Sequence, residues 1–379
     1  MTQSAIERLM HEPPFTLDAA VKAERFREAM AEAVRHHFAN NELFRRQAQR
    51  SGFDPNEPLK DLSRVPFLPM AIFKRLSLLS VPEAEIVRTL QSSATTGSQP
   101  SRIALDHVTR QRQAQALVAV LTHVLGPERR PFLVIDADPV SAATGSTLPA
   151  RQAALRGFLI AASDTAYALR PAAQGSLEAD EDQIESVLSG WQSSGTSGCI
   201  FGFTFLLYQY LLERLEAKKR TFRLGDLAVL HIGGWKKLTQ QKISKPELNR
   251  RLAQTLGMSE RHIIDLYGFT EQMGVVYPDC AEGWKHVPVF AEVFARDPRT
   301  LGLVPDGTDG LLQFLTPIPH SYPGISVLTD DLGRVRAGRC GCGTAGTAFQ
   351  VTGRASDHEV RGCGDVLAEE LQAGGGSRP

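Results

Sequence analysis

The segment that decides the fold is Ile263-Ile264-Asp265-Leu266-Tyr267-Gly268-Phe269-Thr270-Glu271-Gln272, in which an apolar run leads directly into a polar turn. The apolar run predicts a short β-strand. A hydroxyl on Thr270 beside the Glu271 carboxylate suits a site that binds phosphate together with Mg²⁺. An ordinary junction between a strand and a loop explains the same residues equally well.

Strands and helices are expected to alternate on both sides of this segment. Asp106 can cap a helix that reaches Gly126. A capping box of Ser244 and Glu247 opens another helix, which ends near Gly257. Further short β-rich runs are Phe132–Ile135, Cys199–Phe205 and Leu227–Ile232. The alternation predicts an α/β fold whose sheet is covered on both faces.

The two ends of the chain follow other patterns. Apolar positions recur about every fourth residue between Leu17 and Arg50, which predicts one or two amphipathic helices. A proline-rich stretch then favours an extended connection as far as Lys74. Leu311–Leu315 and Ile325–Thr329 predict a smaller β-rich subdomain from about residue 306.

These patterns predict one large domain over residues 1–353, with a helical segment at 1–75 and the β-rich subdomain at about 306–353. Residues 354–379 form a short carboxyl-terminal segment, and its Gly/Ser-rich end favours disorder.

Composition excludes several classes of protein. Lys plus Arg and Asp plus Glu each total 42 in the 379 residues, so the net charge is zero and gives no reason to expect nucleic acid as a partner. The sequence lacks an apolar run long enough for a membrane span and a signal peptide pattern, which favours the cytoplasm. Five cysteines favour free thiols or metal ligands over a disulfide framework.

Two hydroxyl-rich loops could bind phosphate. In the first, Ser92, Ser93, Thr95, Thr96 and Gly97 supply hydroxyl and backbone N–H donors, and Arg102 adds a guanidinium. Residues 193–198 have a similar composition, and we interpret them as a loop that leads into the strand at Cys199. A polar surface loop accounts for either composition at least as well.

Two further segments could border a nucleotide. Gly233, Gly234 and Trp235 follow a predicted strand, and Lys236 could meet phosphate charge. A glycine turn with a core tryptophan is an equally good explanation. Asp331 could bind the two hydroxyls of a ribose, with Gly353-Arg354 about twenty positions later, although Asp330-Asp331-Leu332-Gly333 also fits a plain turn.

Thiols and one imidazole suggest two other sites. Three thiolates and one histidine can bind Zn²⁺ with tetrahedral geometry and leave no open coordination position. The candidate ligands are Cys280, His286, Cys340 and Cys342. Unpaired structural cysteines explain the spacing equally well. Near the end of the chain, Arg361 would lower the pKa of the Cys363 thiol, although an incidental terminal cysteine is an equal alternative.

Taken in chain order, these segments resemble the adenylate-forming ligases, the superfamily of acyl-CoA and aryl-CoA synthetases and firefly luciferase. A more specific resemblance is to the acyl-protein synthetase family of bacterial bioluminescence. It spans roughly residues 60–365 and is carried by Phe67–Lys74, Gly233–Lys236, Lys285–Pro288, Val304–Gly307, Ser321–Pro323, Leu328–Gly333 and Gly362-Cys363. Ala94 departs from the glycine usual in the phosphate loop, and Tyr267–Glu271 is closer to CoA ligases.

The resemblance implies a large adenylate-forming domain without the full carboxyl-terminal lid of the CoA synthetases. Lys74 and Lys236 would then replace the lysine that such a lid provides. The family moves its acyl group onto a cysteine near the carboxyl terminus, and Cys363 lies in the matching context. The zinc set is similar to the Cys/His cluster of some phenylacetate-CoA-ligase-like proteins.

The resemblance also implies the reaction. We expect ATP-dependent conversion of a fatty or aryl acid to acyl-AMP, followed by transfer to Cys363 and on to an acyl-CoA reductase-like protein or an acyl carrier protein. Residues 92–102 would hold phosphates, Glu271 the Mg²⁺, Tyr267 and Gly268 the adenine, and Asp331 the ribose. The alternatives are a stand-alone acyl-CoA, aryl-CoA or acyl-carrier-protein ligase, and a catalytically silent, zinc-stapled nucleotide-binding scaffold.

Overall fold

A six-stranded, mostly parallel sheet forms the centre of the computed structural model, which describes residues 3–92, 100–138, 147–172, 176–235 and 243–355. Its strand order is β12-β11-β10-β9-β4-β6, and only β12 is antiparallel to its neighbour. The strands are β4 (Arg130–Ile135), β6 (Ala162–Tyr167), β9 (Cys199–Phe203), β10 (Ala228–Ile232), β11 (Ile263–Tyr267) and β12 (Tyr277–Pro278).

Helices cover both faces of this sheet, as the sequence predicts. In β4, Phe132 and Val134 pack into one apolar core, whereas Leu133 and Ile135 pack into the other, because successive side chains of a strand point to opposite faces. The described α-helices are α1 (Ala5–Met10), α2 (Ala19–Asn40), α3 (Glu42–Arg50), α4 (Ile72–Arg75), α5 (His107–Leu125), α6 (Ala150–Phe158), α7 (Glu181–Ser194), α8 (Thr204–Leu206), α9 (Glu213–Ala217) and α10 (Lys245–Leu256). A π-helical stretch, Leu207–Leu212, joins α8 to α9.

Local capping signals set several of these helix boundaries. Asp106 accepts a hydrogen bond from the Thr109 backbone N–H at 2.7 Å and opens α5. Ser244 opens α10, and Gly257 ends it with φ of +64°, where a Cβ atom would lie 2.1 Å from the Phe222 carbonyl oxygen. The predicted ends of both helices are confirmed.

A second six-stranded sheet lies against the first, and it begins earlier than the predicted residue 306. Its path is β13-β17-β16-β15-β14, and β1 adds to it in parallel with β16. The strands are β1 (Leu68–Pro69), β13 (Lys285–His286), β14 (Glu292–Arg296), β15 (Gly310–Leu315), β16 (Ser326–Arg336) and β17 (Ala348–Arg354). Asp330 and Asp331 lie inside the long strand β16, and not in a turn.

Two small sheets complete the described residues. One has the order β3-β2-β5 and is built from β2 (Arg88–Gln91), β3 (Arg102–Leu105) and β5 (Thr147–Pro149). The other pairs β7 (Leu169–Pro171) with β8 (Leu177–Ala179). The connection before Lys74 is less extended than predicted, because Leu62–Arg64 forms a 3₁₀ turn and Lys74 lies on α4. No described helix has both the length and the apolar character needed to cross a membrane.

Candidate active site

The carboxyl ends of neighbouring parallel strands meet at one edge of the central sheet. Phe203, Ile232 and Tyr267 end β9, β10 and β11, and the chain leaves the sheet there through Gly233 and Gly268. Ligands of open α/β sheets bind at this edge, because the loops that follow the strands converge there. Gly233 and Gly268, which are predicted site residues, are therefore neighbours in space.

A cavity of about 840 Å³ opens beside this edge. Its walls are the small sheet β3-β2-β5, helices α5 and α6, and the loop that follows β11. Most of the lining is apolar, and representative residues are Leu90, Leu105, Leu117, Leu148, Phe158, Phe203 and Val275. Gly233, Gly268 and Thr270 also line the cavity, so it adjoins the edge of the sheet. A volume of this size suits a small organic ligand.

The two ends of the predicted phosphate loop are joined to each other and to Glu271. The Ser92 N–H donates to the Ser101 carbonyl oxygen at 3.0 Å, and the Ser101 N–H donates to Ser92 Oγ at 2.8 Å. The Ser101 hydroxyl then donates to Glu271 Oε1 at 2.6 Å, within the buried interior. Ser92 and Ser101, the described ends of this loop, therefore lie together with the Glu271 carboxylate.

Glu271 is a buried carboxylate, with 3 % of its surface exposed. Burial raises its pKa above the usual value of a glutamate, whereas the Ser101 hydroxyl and the positive charge of Lys74 oppose that shift. The Tyr322 hydroxyl donates to the Glu271 backbone carbonyl at 2.8 Å and fixes the position of the residue. A buried oxygen ligand at the end of a hydroxyl-rich loop fits Mg²⁺ that also binds phosphate oxygens.

Tyr267 and Asp331 connect the central sheet to the second sheet. The Tyr267 hydroxyl donates to Asp331 Oδ2 at 2.6 Å, and its ring stacks on Phe314 at 5.2 Å between centroids. Burial raises the pKa of the Asp331 carboxyl, and the hydrogen bond from Tyr267 acts against that shift. The second oxygen of this carboxylate remains to accept hydrogen bonds, as a ribose hydroxyl would require.

The glycine turn after β10 has a tryptophan that packs on the apolar core. Trp235 packs edge to face on the Tyr208 ring, with 5.0 Å between the ring centroids. This agrees with the alternative in which the tryptophan belongs to the core. Gly233 adopts φ of +82° and lines the cavity, and Gly234 is exposed. The backbone of this turn, and not its aromatic ring, is therefore what a bound ligand would meet.

The other sequence candidates divide into described and undescribed residues. Arg102 is exposed at the start of β3, and Arg354 Nη2 lies 3.4 Å from Asp330 Oδ2 at the end of β17. The candidates that lie outside the described residues are Ser93, Thr95, Thr96, Gly97, Lys236 and Cys363. Their assigned roles stay predictions.

The proposed zinc ligands lie together. Cys280 lies in the turn between β12 and β13, and His286 is the last residue of β13. Cys340 and Cys342 lie in the turn between β16 and β17. Their ligand atoms all lie within 4.8 Å of one another, with Cys280 Sγ 3.8 Å from Cys340 Sγ and Cys342 Sγ 3.2 Å from His286 Nε2. A tetrahedron with Zn–S bonds of ~2.3 Å separates neighbouring sulfurs by ~3.8 Å, so the donor set fits Zn²⁺.

Sequence reasoning did not identify two residues as positioning Glu271. Ser101 closes the same hydroxyl-rich loop, but many hydroxyls in that loop obscure which one faces the carboxylate. Tyr322 lies in the Ser321-Tyr322-Pro323 motif of the family resemblance, and that motif was the available signal.

Comparison with known proteins agrees with this geometry. Residues 1–372 match the family described as "Acyl-protein synthetase, LuxE". The "long-chain-fatty-acid–luciferin-component ligase" of Vibrio harveyi is 26% identical over 358 residues, which cover 90% of this chain and 86% of that protein. The protein of the same name from Aliivibrio fischeri is 25% identical over 351 residues, covering 90% of this chain and 87% of that protein.

Solved structures show the same fold. The open conformation of 2-hydroxyisobutyryl-CoA ligase, in complex with 2-HIB-AMP and CoA, superposes with a TM-score of 0.65 at 16% identity and covers 90% of this chain and 77% of that one. The family match over residues 1–372 and the two bacterial relatives agree with the position of Glu271 at the edge of the sheet. The chain belongs to the LuxE acyl-protein synthetase family and is an adenylate-forming ligase.

Proposed function

We propose that the enzyme activates a fatty or aryl carboxylic acid as its acyl-AMP and then carries the acyl group on Cys363. The observation that carries this proposal is the hydrogen bond from Ser101 to Glu271, because it joins the phosphate loop to the carboxylate beside a large apolar cavity. The printed names of the bacterial relatives, which are fatty-acid ligases, support the same choice of substrate.

In the first step, an oxygen of the substrate carboxylate attacks the α-phosphorus of ATP and displaces pyrophosphate. Loop 92–102 holds the phosphates, and Glu271 holds the Mg²⁺ that ATP brings. Asp331 binds the ribose, and the turns at 233–236 and 267–268 border the adenine. Lys74, whose charge acts on Glu271, would neutralise charge at the phosphates, and Lys236 would share that role. Positioning and charge neutralisation supply the catalysis.

In the second step, the Cys363 thiolate attacks the carbonyl carbon of the mixed anhydride. A thioester forms, the bond between the acyl carbon and the bridging oxygen breaks, and AMP leaves with that oxygen. The thiol proton passes to solvent. The acyl group then moves to a partner, for which an acyl-CoA reductase-like protein or an acyl carrier protein is the expected class.

The Cys/His cluster has a structural role in this proposal. Zn²⁺ bound by Cys280, His286, Cys340 and Cys342 would tie the β12–β13 turn to the β16–β17 turn. Strand β17 ends at Arg354, nine positions before Cys363 in the sequence. Bound Zn²⁺ would therefore hold in place the strand that precedes Cys363. A closed set of four protein ligands leaves no open position for catalysis.

The test of this function combines two assays on the intact protein. Acid-dependent exchange of labelled pyrophosphate into ATP reports the first step. Mass spectrometry after incubation with ATP and acid reports an acyl adduct on Cys363, which neutral hydroxylamine should remove. We expect Cys363→Ser to keep the exchange and lose the adduct.

Each failure has a separate meaning. An absence of exchange with every aliphatic and aromatic acid would contradict adenylation and favour the silent scaffold. Exchange without an adduct, with release of acyl-CoA or loading of a carrier protein, would contradict the role of Cys363 and favour the stand-alone ligase.

A further inference from the structure

The cavity contains guanidinium groups that the adenylation step does not use. Arg88, Arg110, Arg151 and Arg156 line it, and no acidic residue is among the described residues of its wall. Arg151 Nε donates to Asp136 Oδ2 at 2.8 Å, and Arg156 also interacts with another residue. For Arg88 and Arg110, in contrast, the described part of the chain provides no ion pair.

Arg88 is the more informative of the two, because its side chain is half-buried in the cavity wall and the described residues give its Nε atom no hydrogen-bond partner. That Nε atom is itself inaccessible, so a ligand would pair with the Nη donors of the same guanidinium. Arg110, which also lines the cavity, is exposed. Arg110 lies one turn into α5, the helix that begins just after Leu105, and Leu105 pairs with Arg88 across β2 and β3. The two guanidinium-bearing residues therefore belong to the same end of the small sheet.

This end of the cavity lies away from Ser92, where the predicted phosphate loop begins. Ser92, where the phosphate loop begins, follows Arg88 by four residues along the extended strand β2, which corresponds to about 13 Å at ~3.3 Å per residue. The loop that links β2 to β3 starts at the opposite end of this strand pair, where Gln91 pairs with Arg102. Arg88 is thus too far along the strand to share the role of the phosphate loop.

The strands of the small sheet, β2, β3 and β5, contain no Asp or Glu. Strand β5 lies next to β2, with Thr147 beside Thr89. Between Arg88 and Ser92 the wall is apolar on the small sheet, where Leu90 pairs with Leu148.

We propose that the acid activated here carries a second carboxylate at the far end of its chain, which Arg88 and Arg110 bind. The substrate class is then a medium-chain α,ω-dicarboxylic acid: one carboxylate reacts with ATP near Ser92, the methylene chain fills the apolar middle, and the other carboxylate pairs with the guanidinium groups. This inference rests on the proposed adenylation function and specifies its substrate.

The experiment is acid-dependent exchange of pyrophosphate into ATP, with matched pairs of acids: octanoic and octanedioic, decanoic and decanedioic, dodecanoic and dodecanedioic. For the wild-type protein we expect kcat/KM to favour the diacid in at least one pair by about tenfold or more, because a site built around unpaired donors rejects an analogue that lacks the acceptor. Arg88→Met and Arg110→Met should each lower that ratio towards one, whereas Arg88→Lys should keep part of it.

The matched control is Arg129→Met, which removes an exposed arginine outside the cavity wall and should leave the diacid-to-monoacid ratio unchanged. The wild-type ratio decides the question even if a cavity variant unfolds. Exchange with monoacids that equals or exceeds exchange with diacids in every pair would overturn this inference and leave the proposed function intact. No exchange with any acid would overturn both.

Discussion

Replacing Glu271 with glutamine separates the chemical role of this residue from its structural one. Glutamine keeps the shape of the side chain and an oxygen that can accept the hydrogen bond from Ser101, now 2.6 Å long. It removes only the negative charge. Since burial raises the pKa of Glu271, the folded protein stabilises the ionised carboxylate poorly, and a neutral amide should be tolerated.

The expected effect on stability is small. A hydrogen bond to a charged group contributes about 1.5–3 kcal/mol and a neutral one about 1 kcal/mol, so the exchange costs on the order of 1 kcal/mol before the relief from burying a charge is counted. The melting temperature should therefore shift by no more than about 2–4 °C. Glu271→Ala should cost more, because it leaves the buried Ser101 hydroxyl without its acceptor.

The expected effect on the reaction is large. Loss of one group that stabilises developing charge typically lowers turnover by about 10²–10³-fold, or about 2.7–4 kcal/mol. Pyrophosphate exchange at varied Mg·ATP concentration measures this loss, and differential scanning fluorimetry measures stability. Glu83→Gln, which changes an exposed carboxylate on a surface 3₁₀ turn, is the control and should alter neither. Exchange by Glu271→Gln within about threefold of wild type would refute the reasoning, since the charge would then be dispensable.

Three further predictions follow from the same geometry. Tyr267→Phe removes the hydrogen bond to Asp331, and steady-state kinetics should show a several-fold increase in the KM for ATP with little change for the acid, whereas an unchanged KM would argue against a ribose role for Asp331. Purified protein should contain one equivalent of zinc by elemental analysis, and Cys340→Ser should lower both the zinc content and the melting temperature; a fully stable, zinc-free wild type would contradict the staple. Binding of Mg·ATP should weaken as the pH falls towards the raised pKa of Glu271, because protonation removes the charge that holds the cation. Glu271→Gln should lose this pH dependence, and identical pH profiles for the two proteins would exclude Glu271 as the titrating group.

Short-range signals allowed much of the central sheet to be predicted. The strand Ile263–Tyr267 and the helix ends at Asp106, Ser244 and Gly257 depend on residues within a few positions of each other, so local chemistry decides them. The strand predicted at Cys199–Phe205 ends at Phe203, since its last two residues begin α8. Periodicity alone does not distinguish an apolar strand end from the start of a buried helix.

The second sheet could be predicted less completely, because its pairings are distant in sequence. Lys285–His286 is only two residues long and has no period to detect, yet it pairs with β17 more than sixty positions later. For the same reason, the sequence suggested the Cys/His set by residue type but could not bring Cys280 next to Cys340. The antiparallel pairing of β13 with β17 places the two turns side by side.

The candidate site shows the same limit in its individual side chains. Glu271 was identified from its motif, but which hydroxyl of the 92–102 loop faces it depends on the pairing of β2 with β3, and that hydroxyl belongs to Ser101. Arg88 had no sequence signal, because an arginine in a short strand is ordinary and its missing partner shows only in the folded chain.

The most direct test of the central claim follows the oxygen atoms of the substrate. A carboxylic acid labelled with ¹⁸O in its carboxylate is incubated with ATP and the enzyme, and AMP and pyrophosphate are analysed by mass spectrometry. If the carboxylate attacks the α-phosphorus, AMP must gain one labelled oxygen when the acyl group leaves, and pyrophosphate must gain none. Unlabelled AMP, or label in inorganic phosphate released with ADP, would contradict the formation of an acyl-adenylate.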